Sequence, residues 1–209
     1  MILSVETSTN AFSVSVFDGR EIANLEIVHE AAYSQNITSA VKYLLESVGR
    51  TPADITEAFA DIGPGSFTGT RIGVCFVNTL SQTRGIPLLG LTSLDLLAFE
   101  EERWYNHVVP FIRSRKNEVY TAFYADERRV TDYLALSKDA FERFIESRKP
   151  RIVVSSEDDF HDIAIDERLL DGIKTCFSHP KARVQVQLAH KYGFTSKREY
   201  LKPLYVRNI

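Results

Sequence analysis

The order in which periodicity changes over the opening residues narrows the fold more than any other feature. Ile2-Leu3-Ser4-Val5 is a short apolar run. Phe12, Val14 and Val16 alternate with Ser13, Ser15 and Phe17, and Asp18-Gly19 follows as a hairpin turn. Arg20 to His29 alternates again through Ile22, Leu25 and Ile27. The spacing then becomes helical, with Ser34 as N-cap, Ile37, Val41, Leu44, Leu45 and Val48 on one stripe, and Gly49 closing before Thr51-Pro52. Ala58 to Ile62 predicts a short strand, Gly63-Pro64-Gly65-Ser66 a turn, and Thr68 to Arg84 a second helix closed by Gly85.

Three strands, a helix, a strand and a helix make the ribonuclease-H-like lobe that actin-like and sugar-kinase-like ATPases carry twice. The second half echoes that order loosely. Val108–Ile112, Val119–Tyr124 and Val130–Leu136 read as strands, and Ala140, Phe141, Phe144 and Ile145 as a helix capped by Ser137. Arg151–Val154 is a further strand, 156–171 is acidic and irregular, and a last long helix starts at Pro180 with Val184, Leu188 and Ala189. The expected class is α/β with two such lobes and a mixed five-stranded sheet in the first. The expected division is 1–103, with a tail 194–209 returning to it, and 104–193 as a smaller lobe.

The chain has 209 residues and 44% apolar content, enough to bury a core without staples. Cys75 and Cys176 are far apart and in no CxxC pattern, which fits a reducing compartment. The first six residues lack a basic stretch, so no signal peptide is expected, and no apolar run approaches the ~18 residues of a membrane span. A cytoplasmic location follows as an expectation. Net charge grades from −7 over 1–112, through −2, to +6 over 181–209. The basic set is Lys181, Arg183, Lys191, Lys197, Arg198, Lys202 and Arg207. Such a tail can touch a phosphate backbone or dock on the acidic first half, and charge complementarity favours docking.

The densest motif is Gly63-Pro64-Gly65-Ser66-Phe67-Thr68-Gly69-Thr70-Arg71-Ile72-Gly73, between a strand and a helix. A helix N-terminus favours an anion. The motif has no phosphate-loop lysine, and no glycines bracket Ser66 as in a nucleophile elbow. Two readings stand: a tight connection without a ligand, and a weak anion or nucleotide site. Gly69 and Gly73, four apart, let another element approach. The helix is apolar nearly all round, which predicts burial on more than one side. Glu6-Thr7-Ser8 ends the first strand with one carboxylate and no evident partner, which cannot hold a metal well. No two histidines have metal-ligand spacing, and no nucleophile stands beside a base. No catalytic residue is expected.

Ile62 to Gly73 closely resembles the G-P-G-S-F-T-G-x-R-I-G signature of the TsaB (YeaZ) family. Ile2-Leu3-Ser4-Val5-Glu6-Thr7-Ser8 resembles the family opening, and Tyr33-Ser34-Gln35 its first-helix motif. Gly90-Leu91-Thr92-Ser93-Leu94, Glu118-Val119-Tyr120 and the closing Pro203, Tyr205 and Arg207 also fit. Glu6 stands where the family has Asp, Tyr33 where it has His, and Ile112-Arg113-Ser114-Arg115 where many members read I-D-A-R. The resemblance implies a non-catalytic subunit that supports a TsaD-type transferase placing threonylcarbamoyl on tRNA. It implies a TsaE-type ATPase as a further partner, a homodimer when the chain is alone, and tRNA contact only through the complex. ATP and Mg are then used by the complex, and this chain requires no cofactor. Glu6, Thr7, Ser8, Gly65 and Ser66 become a vestigial nucleotide or anion site.

The resemblance also implies contact through the two N-terminal helices. Ile72, Phe76 and Leu80 are expected against the sheet. Asn36, Ala40, Tyr43, Gly69, Gly73, Val74, Val77, Asn78 and Ser81 are then expected to face the partner. The competing classes are an ATP-dependent phosphotransferase and a peptidase on the same fold. Each needs carboxylates, phosphate loops or a nucleophile that the sequence does not display.

Overall fold

A computed structural model describes residues 1–28, 36–102 and 104–207. Its chain divides into two compact units, Met1–Ser93 with Pro180–Leu204, and Leu94–His179 with the last residues. The first unit holds a five-stranded sheet of β1 (Ile2–Glu6), β2 (Ala11–Phe17), β3 (Glu21–Val28), β4 (Glu57–Asp61) and β5 (Leu88–Leu91). The order is β3-β2-β1-β4-β5, antiparallel among the first three strands and parallel from β1 to β5. This is the mixed sheet that the opening periodicities predict, with β5 added where the alternation is too short to read.

Helix α1 (Ile37–Ser47) turns Ile37, Val41, Leu44 and Leu45 onto the sheet, where they meet Leu3, Val5, Val14 and Val16. Ser34, expected as its cap, and the Tyr33-Ser34-Gln35 motif lie outside the described residues. Helix α2 (Phe67–Arg84) is capped by Ser66, whose hydroxyl accepts from Gly69 N, and it closes at Gly85 with φ 66°. The other sheet face explains the serines of β2. Ser13 and Ser4 are fully buried, and their hydroxyls bond the Ala182 N–H and carbonyl at the start of α6 (Ala182–Tyr192). Gln185 Nε2 donates to the Val5 carbonyl at 2.7 Å, while Val186 and Ala189 pack on Phe17 and Phe59. Small serines on this face therefore let a helix sit close.

That packing corrects the expected division. The last helix belongs to the first unit, because its apolar stripe covers the back of the first sheet. The boundary falls at Ser93/Leu94, in the first turn of α3 (Ser93–Glu101), ahead of the expected 103. Leu94, Leu97 and Ala98 are committed to Val108, Ile112, Ile152 and Val154 of the second sheet.

In the second unit β6 (His107–Arg115), β7 (Glu118–Thr121), β8 (Tyr124–Ala125), β9 (Arg128–Arg129), β10 (Leu134–Ser137), β11 (Ile152–Ser155) and β12 (Lys174–Phe177) form one sheet. Its main path is β10-β7-β6-β11-β12, again antiparallel then parallel. The expected strand Val119–Tyr124 is split, and Val130–Leu136 is strand only from Leu134, because a β8–β9 hairpin intervenes. Helix α4 (Lys138–Arg148) is capped by Ser137 as expected. The acidic stretch read as irregular contains α5 (Glu157–Ile163), capped by Ser156 with Glu157, Asp158 and Asp159 in its first turn. Acids there complement the helix dipole. Among the described residues no helix is long and apolar enough to cross a membrane.

Candidate functional site

Parallel pairing of β1 and β4 runs Val5 beside Ala60, which sets Glu6 beside Asp61 at the strand ends. Both are buried, 0% and 1% exposed. Glu6 Oε1 accepts from Ser8 N at 2.6 Å and lies 2.8 Å from Ser8 Oγ. Asp61 Oδ2 lies 3.0 Å from the same hydroxyl, whose single proton serves one acid at a time. Asp61 Oδ1 accepts from Gly63 N at 2.6 Å and from Ser93 Oγ at 2.8 Å. Burial pushes the Glu6 carboxyl well above its ordinary range, and the Asp61 charge and their mutual hydrogen bond push it further, against the Ser8 bonds. Burial raises Asp61 too, opposed by bonds from Glu6, Gly63, Ser93 and Ser8. Two buried acids cannot both ionise. Glu6, whose Oε2 has no hydrogen-bond partner, is the more strongly raised of the two.

Glu6 therefore has the carboxylate neighbour that the sequence reading denied it. The strand-end position of Asp61 was the available signal, since parallel neighbours align their ends. The pair does not fit a hydrated metal and nucleotide, because both carboxylates are sealed from solvent and bonded to Ser8, Gly63 and Ser93. Thr7, Ser8, Gly65 and Ser66 do come together with Glu6, but as packing. Ser66 N donates to the Ser8 carbonyl at 2.5 Å, and a Cβ on Gly65 would lie 2.2 Å from that oxygen. Thr7 Oγ1 donates to the Gly69 carbonyl at 2.7 Å.

The raised Glu6 value has a sign. Above the ordinary glutamate range the folded chain binds more protons here than the unfolded chain. The stability from this pair is thus full below that range and is lost as pH rises through the raised value. Glu6→Gln keeps the shape of the neutral acid and cannot ionise. Its melting temperature is expected to fall less than that of the natural chain between about pH 5 and pH 9. Parallel melting curves would refute the shared proton.

Val74 and Val77, expected to face a partner, are turned inward, whereas Ile72, Phe76 and Leu80, expected against the sheet, are half-buried and pack at the edge of that core. Val74 and Val77 are 3% and 0% exposed, so they cannot meet a partner. Val77 joins Leu3, Val5 and Ala58 in the core. The physical reason lies in Gly69 and Gly73, which face the chain's own Thr7. Cβ atoms there would lie 2.0 Å from the Thr7 carbonyl oxygen and 2.4 Å from its hydroxyl. Val77 stands four residues after Gly73 and shares that face. Asn78 brackets the Leu201 backbone, accepting at 2.9 Å and donating at 3.0 Å, and Ser81 Oγ donates to the Ile86 carbonyl. These two are also spent within the chain. On α1, Asn36 and Tyr43 are exposed, whereas Ala40 lies against the core.

What α2 turns outward is Phe67, Thr68, Arg71 and Cys75, with half-buried Ile72 and Phe76. These six line a shallow groove of about 460 Å³. The Arg71 guanidinium lies 3.7 Å from the Phe67 ring centroid. Phe67 is 58% exposed, a large apolar surface to leave in water.

Two mixed sheets of this topology, each flanked by helices, define the ribonuclease-H-like class that includes sugar kinases and actin-like ATPases. Solved structures agree on the fold. A YeaZ from Pseudomonas aeruginosa aligns with TM-score 0.76 and 22% identity over 98% of this chain and 99% of that one. A putative N-acetylglucosamine kinase from Porphyromonas gingivalis aligns at 0.51 and 7% identity, over 92% of this chain and all of that one. In sequence, the Bacillus subtilis "tRNA threonylcarbamoyladenosine biosynthesis protein TsaB" is 27% identical over 82% of this chain and 76% of its own length. The Escherichia coli protein of the same name is 33% identical over 59% of this chain and 54% of its own. Residues 27–190 match the family described as "TsaD: tRNA N6-adenosine threonylcarbamoyltransferase". The chain belongs to this family, in its TsaB (YeaZ) branch.

Proposed function

We propose that the chain is a non-catalytic partner subunit of a TsaD-type transferase complex that forms threonylcarbamoyladenosine beside the tRNA anticodon. The observation that carries this reading is the outward face of α2, where Phe67, Arg71, Ile72, Cys75 and Phe76 form an apolar groove with one cation. The matching family and the printed names of its relatives supply the pathway. The sealed Glu6–Asp61 pair supports a structural rather than catalytic first sheet. In this reading a TsaE-type ATPase joins the complex, which consumes ATP and Mg, while this chain needs no cofactor. The complex works in the cytoplasm, and tRNA is met through it. Without the partner, the same groove pairs two copies isologously, since like patches must then meet.

Cys75→Glu and Arg71→Glu test the contact, because both positions are exposed. Each should leave the melting temperature nearly unchanged and weaken co-purification with the TsaD-type subunit by about a hundredfold, or about 2.7 kcal/mol. Folded variants that assemble normally would move the contact off this face. The isolated chain should show no ATPase or transferase turnover. A rate that survives purification and disappears in Glu6→Ala would overturn the non-catalytic assignment.

A further inference from the structure

The end of the first unit carries charge and aromatic surface that neither the sheet nor the α2 groove uses. Residues 181–204 hold six basic side chains and one acidic one. Charge complementarity predicts that these cations dock on the acidic first half, whereas from Lys197 to Leu204 the attachment runs mainly through backbone and apolar groups. Lys197 and Leu88 exchange backbone hydrogen bonds of 2.7 and 2.8 Å, which covers the edge of β5. Asn78 holds the Leu201 backbone, the Leu201 side chain lies over Gly90, and Leu204 N donates to the Ile62 carbonyl. Backbone and apolar contacts, with Ser196 Oγ donating to Glu57, hold the strap, and Lys197, Arg198 and Lys202 are left outward. Lys191, Lys197, Arg198 and Lys202 are exposed. Lys197, Arg198 and Lys202 form no ion pair among the described residues.

Between these cations stand Tyr192, Phe194 and Tyr200, which are 38%, 48% and 61% exposed. Tyr192 and Phe194 stack with centroids 5.9 Å apart and planes 30° apart, and Lys191 Nζ lies 5.4 Å from the Tyr192 ring. The left-handed Gly193 that ends α6 turns the chain between the two rings. Exposed π-faces interleaved with cations suit a flexible polyanion with unstacked bases. A duplex hides its bases and meets only the cations.

We propose that this basic, aromatic strap binds single-stranded RNA, with phosphates on Lys197, Arg198 and Lys202 and a base on the Tyr192–Phe194 pair. That the strand is a loop of tRNA rests on the function proposed above, to which this adds a contact made by the chain itself.

Fluorescence anisotropy of the full chain with a labelled single-stranded RNA, and with a duplex of equal length, tests it over a salt series. The natural chain should prefer the single strand. Tyr192→Ala with Phe194→Ala should weaken single-strand binding about tenfold and leave duplex binding unchanged. Lys197→Ala, Arg198→Ala and Lys202→Ala together should weaken both and flatten the slope of log affinity against log salt by about two. If the aromatic variant fails to fold, the charge variant decides. No RNA binding at low salt, or a slope untouched by the charge variant, overturns the proposal. So does a charge variant that loses the TsaD-type subunit but keeps RNA. RNA binding in a chain that does not assemble would sink the subunit reading alone, and assembly without RNA binding would sink this inference alone.

Discussion

Val77→Glu is expected to unfold the first unit, not to release a partner from it. Val77 is fully buried among Leu3, Val5, Val41, Ile55 and Ala60. A carboxylate there has no cation or donor, and an uncompensated buried charge costs about 3–5 kcal/mol. That is a large part of the 5–15 kcal/mol that holds an ordinary domain together. For a chain of this length a loss of ~3 kcal/mol lowers the melting temperature by about 10 °C. Thermal melts followed by circular dichroism should show this, with a matching fall in soluble yield. Cys75→Glu, two residues earlier on the opposite face, is the control and should melt like the natural chain. A Val77→Glu chain that melts normally and only loses its partner would mean that α2 is rotated about its axis from the position described.

Gly69→Ala should also be costly, although alanine is the better helix former by about 1 kcal/mol. Its Cβ would lie 2.0 Å from the Thr7 carbonyl oxygen, a backbone atom at the end of β1 that cannot swing aside. Either α2 moves off the strand end or Thr7 moves, and with it the Ser8 bonds to Glu6. Overpacking of this kind costs about 3 kcal/mol at the upper end of its usual range. Gly73→Ala should cost less, because its neighbour is the Thr7 hydroxyl, which another rotamer can withdraw. Urea midpoints of the two variants should rank in that order. Equal midpoints would show that α2 is not seated on Thr7 through these glycines.

Much of the molecule was legible in local pattern. A short apolar run marked β1, period-2 alternation marked β2 and β3, the stripe Ile37-Val41-Leu44 marked α1, and Ser137 and Gly85 marked the helix ends that the structure places there. The Gly63–Gly73 segment carried the family, because its chemistry is compressed into a few consecutive positions. What stayed hidden was whatever depends on a partner distant in sequence. Asp61 meets Glu6 only because β1 and β4 run side by side, fifty-five residues apart in the chain.

By itself, then, the sequence determined the order of elements as far as α2, the end of α2, the start of α4 and the family, since propensity, capping and turn chemistry act over a few residues. Tertiary structure decided which side of α2 is inside. With apolar groups all round that helix, periodicity has no phase to report, and the close approach of Gly69 and Gly73 to Thr7 settles it. It also assigned α6 to the first unit and turned the basic strap outward. An amphipathic stripe states that a helix needs a cover and not which sheet provides it, and here backbone and apolar contacts from sites more than a hundred residues away made the choice.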